Sequence, residues 1–200
     1  MGKTKDKGLE ALRDGQIVRN KLTEVIKVLL LQSQKRLENL EKSLEEALAR
    51  AKTDVNMTVD NAEGTASAKT NEEIEEEIEK LKESLREERI KHWRIEGECE
   101  ILDFRGADLT GSIREANTIF PDSKLPYVLR EVTDRRSLLT RAMGDCNVLQ
   151  DELQHIADTV YSDINKYTPL CLEIKTLFRK IRSIRQADNR FLPKDRESKD

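Results

Sequence analysis

LPYVLREVTDRRSLLTRAMGDCNVLQDELQHIADTVYSDINKYTPLCLEIKTLFRKIRSI, residues 125–184, carries a seam residue at every third or fourth position without a slip. Stepping alternately by three and four from Leu125, the seam reads Leu125, Val128, Val132, Arg135, Leu139, Ala142, Cys146, Leu149, Leu153, Ile156, Val160, Asp163, Tyr167, Leu170, Ile174, Leu177, Ile181 and Ile184. Only Arg135 and Asp163 break its apolar or amphipathic character. A mean spacing of about 3.5 residues keeps one stripe facing a neighbouring helix, the pattern of coiled coils and long bundles. One continuous helix over this stretch would be about 90 Å long at a rise of about 1.5 Å per residue. The adjoining e positions hold Leu129, Met143, Ala157, Ile164, Cys171 and Phe178, so the stripe is wider than a two-stranded coil needs. Pro169 falls inside and removes a backbone hydrogen bond there. Because the heptad phase survives across it, the pattern favours a kink over a loop.

Upstream, residues 70–104 keep the same spacing through Ile74, Ile78, Leu81, Leu85, Glu88, His92, Ile95, Cys99 and Leu102. Thr70-Asn71-Glu72-Glu73 ahead of Ile74 is a capping box, and the acidic turns after it suit the positive end of a helix dipole. Past Glu88 and His92 a second stripe appears, Ile90, Trp93, Ile101 and Phe104, with Gly97 offering room for a close approach. The Trp93 end is therefore expected to pack against the third helix. A first helix is expected over residues 14–52. It begins with two overlapping stripes around Leu22 to Leu30 and narrows to a single seam, with Leu30, Leu37 and Leu44 seven apart.

Between these segments the character changes. Residues 1–13 are rich in Lys and Gly and read as a disordered N-terminus. Residues 53–69 are small and polar without periodicity, a flexible linker. Gly106, Gly111 and Pro121 punctuate residues 105–124, which read as a connector with room for a short helix around Ile113. The long heptad helix then spans 125–187, and residues 188–200 form a polar tail. The fold class expected is all-α: an elongated coiled-coil or long-helix bundle of three main helices, the third kinked or broken at Pro169.

Composition agrees with that class. Charged residues make up 38% of the 200-residue chain and aromatic residues 4%, with one Trp. Mean hydropathy is −0.70. Such chains bury apolar stripes between helices and build no thick core. The formal net charge of −3 exerts no global pull on nucleic acid or membrane. No apolar run approaches the roughly 18 residues of a membrane span, and the N-terminus resembles no signal peptide. Gly2 lacks the hydroxyl residue that a myristoylation signal places at position 6, where Asp6 stands. An intracellular protein, cytoplasmic or nuclear and not secreted, is the expectation, so the sequon at Asn56 reads as accidental.

Little in the chain carries chemistry. Cys99, Cys146 and Cys171 follow no disulfide or metal spacing. His92, Glu96 and Cys99 share one helix face at i, i+4 and i+7, but a heptad seam accounts for His92 and Cys99 without a metal. With two histidines, no phosphate loop and no triad, neither an enzyme, a cofactor nor a small-molecule substrate is expected. Glu88, His92, Arg135 and Asp163 intrude on the seams, and polar groups there set register and partner choice in coiled coils. The basic run from Lys175 to Arg196 reads first as a solvated face, because no aromatic platform accompanies it.

The function expected is that of a non-catalytic coiled-coil subunit or adaptor of a multiprotein assembly, of the cytoskeletal, kinetochore or spindle, or vesicle-tethering kind. Helices of about 60 Å and about 45–50 Å cannot cover a third of about 90 Å, which leaves length for other helical proteins or for a second copy, in a homo- or hetero-oligomer. Leu170, Ile174, Leu177, Phe178, Ile181 and Ile184, beyond Pro169, are the expected partner-binding residues. Two alternatives rank behind it: a compact three-helix, cochaperone-like binding module, and a nucleic-acid or anionic-membrane binder acting through residues 175–196.

Overall fold

The computed structural model describes residues 2–57, 70–119, 128–159 and 164–192. The protein is all-helical over these residues, with four helices and no strand: α1 (Gly2–Met57), α2 (Asn71–Thr118), α3 (Val128–Thr159) and α4 (Ile164–Ala187), followed by a 3-10 turn, Asp188–Phe191. The chain divides into two compact units, one of Met1–Ile26 with Glu100–Asp200 and the other of Lys27–Cys99.

The smaller unit is an antiparallel pair, the later part of α1 against the earlier part of α2. The capping box opens α2 as its residues dictate. Thr70 N–H donates to Glu73 Oε2 at 3.1 Å, and Glu73 N–H donates back to Thr70 Oγ1 at 3.3 Å. Ala47, Ile74 and Ile78 are buried together, with Leu44, Ala51 and Leu81 packed on them. Ion pairs fix the antiparallel direction. Arg36 meets Glu88 and Arg50 meets Glu77, so partner numbers fall along α2 as they rise along α1.

The larger unit is a helical bundle. Its buried side chains include Val18 and Leu22 of α1, Leu102, Leu109 and Ile113 of α2, Leu139, Leu149 and Leu153 of α3, and Ile174, Leu177 and Ile181 of α4. At Gly15 three helices meet: a Cβ there would stand 3.3 Å from Ile113 Cδ1 and 3.8 Å from Leu177 Cδ2. An added methyl group would press on Ile113, so the small residue suits that approach.

Several boundaries differ from the sequence expectation. Residues 2–13 are helical, and Gly8 and Ala11 are buried. Asn117 Nδ2 donates to the Gly8 carbonyl at 2.7 Å, which ties this turn to α2. The expected connector is helix as far as Thr118. Gly106 and Gly111 do not break it, because Gly106, Leu109, Ile113 and Ala116 continue the three-four seam inward. The remainder of that connector, the linker from residue 58 and the tail from residue 193 lie outside the described residues.

Residues 125–187 do not form one rod. α3 and α4 pack against each other, and Arg136, near the start of α3, donates to the Arg185 carbonyl near the end of α4. From Arg136 to Thr159 is about 35 Å and from Ile164 to Arg185 about 32 Å by helix rise. Only an antiparallel arrangement lets both spans meet at Arg136 and Arg185. The direction therefore reverses ahead of Pro169, which lies exposed inside α4. Each helix buries its own stripe in the core, and the number of residues between Thr159 and Ile164 keeps the two stripes in one heptad count, so the sequence pattern read as continuous.

Candidate partner-binding surfaces

The residues expected to bind a partner on α4 are core. Ile174 and Ile181 are 0% exposed, Leu170, Leu177 and Ile184 are buried with them, and Phe178 is half-buried. The chain's own helices fill this face. What α4 leaves outward is Leu172, in a shallow groove with Ile17 and Val18 of α1 that is flanked by Asp14 and Glu173. Glu173 is paired with Lys21, and Lys180 with Asp14 and Glu10. Lys180 thus faces carboxylates of α1. Lys175, Arg179 and Arg182 are exposed, whereas Lys194 and Arg196 lie outside the described residues.

The polar seam residues have separate roles. Arg135 is buried, donating from Nε to Asp188 Oδ2 at 2.7 Å and from Nη1 to the carbonyls of Ala116 and Ile119, each at 2.9 Å. It closes the last turn of α2 and draws the 3-10 turn onto α3. Asp188, counted with the polar tail on sequence grounds, is buried at the same site. Its partner could not be found by spacing, since 53 positions separate the two. Asp163 lies outside the described residues. In the smaller unit Glu88 pairs with Arg36 at 2.9 Å, and His92 Nδ1 shares a 2.7 Å hydrogen bond with the buried Ser33 Oγ. His92 Nε2 turns to Glu96 Oε1 at 3.3 Å.

The cysteines are poor nucleophiles. Burial pushes the Cys99 thiol up to about 11 and the Cys146 thiol up to about 12, and it raises Cys171 as well. A thiol held protonated neither attacks nor ligates readily. No grouping of three or more His, Cys, Asp and Glu among the described residues is placed to hold a metal ion.

One charged cluster went unnoticed in the sequence. Asp108 of α2 accepts two hydrogen bonds from Arg141 of α3, at 2.7 and 2.5 Å, and Arg105 donates to the buried Asp145 at 3.2 Å. The two carboxyl groups face each other. Burial first, and then the neighbouring Asp108, push Asp145 up to about 6, while the Arg141 hydrogen bonds hold Asp108 below its ordinary value. Each carboxylate is held by an arginine, so the arrangement pins α2 to α3.

Exposed apolar side chains mark the surfaces left over. Trp93 is 74% exposed, and the contacts of α2 with α3 come from later residues of that helix, Arg105 and Asp108. A Cβ at Gly97 would meet nothing within 4 Å among the described residues of the smaller unit. In the smaller unit a groove of about 610 Å³ is lined by Leu44 of α1 and by Lys82, Leu85, Arg86, Arg89, Ile90 and Trp93 of α2. The α2 residues fall at spacings of three and four and so share one face. No described helix is long and apolar enough to cross a membrane.

No family model matches the chain, and neither a curated protein nor a solved structure matches it.

Proposed function

We infer that the protein is a non-catalytic helical subunit or adaptor that holds protein partners by helix–helix packing. The observation that carries this is Trp93, the chain's single tryptophan, standing 74% exposed beside the half-exposed Ile90 on a helix whose seam toward α1 is already filled. A tryptophan contributes more area to an interface than any other side chain, and such residues dominate binding energies. Left in water on an ordered helix, it is a surface awaiting a cover. Partners are expected to be other helical proteins, in the cytoplasm or nucleus.

Purification of the intact chain from its own cells, with identification of copurifying proteins, tests the reading. A partner retained at stoichiometric level, and lost from a chain carrying Trp93→Ser, supports it. Recovery of the chain free of any protein, at concentrations where assemblies persist, overturns it.

A further inference from the structure

We propose that the groove of Leu44, Leu85, Ile90 and Trp93 receives an acidic amphipathic helix of a partner protein, its apolar anchors on Trp93 and its carboxylates on Lys82, Arg86 and Arg89. The inference rests on the adaptor reading above and names the chemistry of the partner.

Three observations carry it. The first is shape: Leu44 of α1 and Leu85, Ile90 and Trp93 of α2 line one groove between the two helices, where a third helix can lay its apolar face. The second is charge. All three charged residues lining the groove are cations. Their present partners, Glu79, Glu83 and Glu41, are themselves solvent-exposed, and exposed pairs of this kind hold weakly enough to be exchanged. The third observation speaks against a two-fold pairing of this groove with a second copy of the chain. A two-fold contact on this groove would set the same cations face to face. The chain's own most acidic run, Glu72 to Glu79, already buries Ile74 and Ile78 and so has no free anchors to offer.

Trp93, as the only tryptophan, reports on its own groove. The test uses the intact chain and a designed peptide of about 20 residues, long enough to be helical, with Leu at three-four spacing and Glu on the flanks. A twin peptide carries Lys in place of Glu. The acidic peptide is expected to shift Trp93 emission to the blue and to bind more weakly as salt rises. Arg86→Glu with Arg89→Glu, both exposed positions, should weaken it about tenfold or more and reverse the preference toward the Lys twin. Retained helicity by circular dichroism shows that these variants remain folded, and Ile90→Glu provides an independent loss of the apolar anchor.

Equal binding of both peptides, or of neither, overturns the proposal. So does an emission shift produced only by phosphatidylserine vesicles, or a dimer in light scattering with Trp93 already shielded. If the chain keeps a copurifying partner despite Trp93→Ser and Arg86→Glu, the adaptor reading survives and the groove is not its site.

Discussion

Arg135 and Asp188 form an ion pair at 2.7 Å with both side chains almost wholly buried, and the same guanidinium caps the end of α2 through two carbonyls. One side chain thereby joins α2, α3 and the turn after α4. Removing one partner of such a pair costs far more than removing both, because the charge left behind has no water to solvate it. Arg135→Leu is expected to destabilise the larger unit by about 3–5 kcal/mol, whereas Arg135→Leu with Asp188→Leu recovers a large part of that loss. Urea midpoints for the two variants check it. A cost below about 1 kcal/mol for the single change would mean that the pair is solvated in solution.

The Asp108–Asp145 pair gives the larger unit a predictable pH response. Asp145 is raised to about 6 by burial and by Asp108, against the opposing pull of Arg105. A carboxyl whose folded value lies above its unfolded value favours the fold while protonated. Its contribution is complete below about pH 4 and is lost as pH rises through about 6. Asp145 Oδ2 is buried without a hydrogen-bond partner, so at neutral pH it holds poorly compensated charge. Asp145→Asn keeps the shape and supplies a donor toward Asp108. The variant is expected to gain on the order of 1–2 kcal/mol at pH 7.5 over the parent, with the gain fading toward pH 4. Denaturant midpoints at the two pH values decide it, and a constant difference would assign the effect to packing.

Where periodicity governs, the sequence was a sound guide. The Thr70 capping box, the seam from Ile74 to Leu102 and the apolar face of α3 follow from local spacing, because helix faces are set by neighbours three and four residues away. The all-helical class follows as well. Beyond that, the sequence misled where small residues carry the seam. Gly8, Ala11 and Gly15 in α1, and Gly106 in α2, occupy inward positions at which hydrophobicity registers nothing, so a packed helix end read as disorder and a continuous helix read as a connector. The reversal ahead of Pro169 was invisible for the opposite reason: both arms keep one apolar phase. Which stripe is buried within the chain depends on tertiary pairing, and the expected partner face of α4 was therefore assigned to the wrong side of that division. The Arg135–Asp188 and Asp108–Asp145 contacts join distant positions and leave no local signal.

Two glycines in α2 separate helix propensity from packing. Glycine in a helix interior costs about 0.5–1 kcal/mol relative to alanine through backbone entropy. At Gly97 an added Cβ meets nothing within 4 Å, so Gly97→Ala is expected to stabilise the smaller unit by about that amount. At Gly106 the added Cβ would lie 3.1 Å from Leu22 Cδ1, a contact tight enough to force the leucine aside. Gly106→Ala should therefore gain less than Gly97→Ala, or lose stability outright. Thermal unfolding of the two single variants makes the comparison. An equal gain at both positions would show that Leu22 yields freely and that the two helices are less closely packed there.

Ser33 and His92 make the corresponding prediction for the smaller unit. Their 2.7 Å hydrogen bond lies in a largely apolar seam, with the Arg36–Glu88 ion pair one turn away. Ser33→Ala leaves the inward nitrogen of His92 without its partner and should cost about 1 kcal/mol. Replacing both residues by leucine satisfies the seam with apolar contact, and the hairpin should become at least as stable as the parent. Specificity moves the other way. Polar pairs at seam positions penalise every alignment that separates them, and an all-apolar seam tolerates slipped pairings and extra strands. The double-leucine chain is accordingly expected to show mixed oligomeric states by light scattering at concentrations where the parent is uniform. If it remains as uniform as the parent, Arg36 and Glu88 alone hold the register, and the buried hydrogen bond serves stability only.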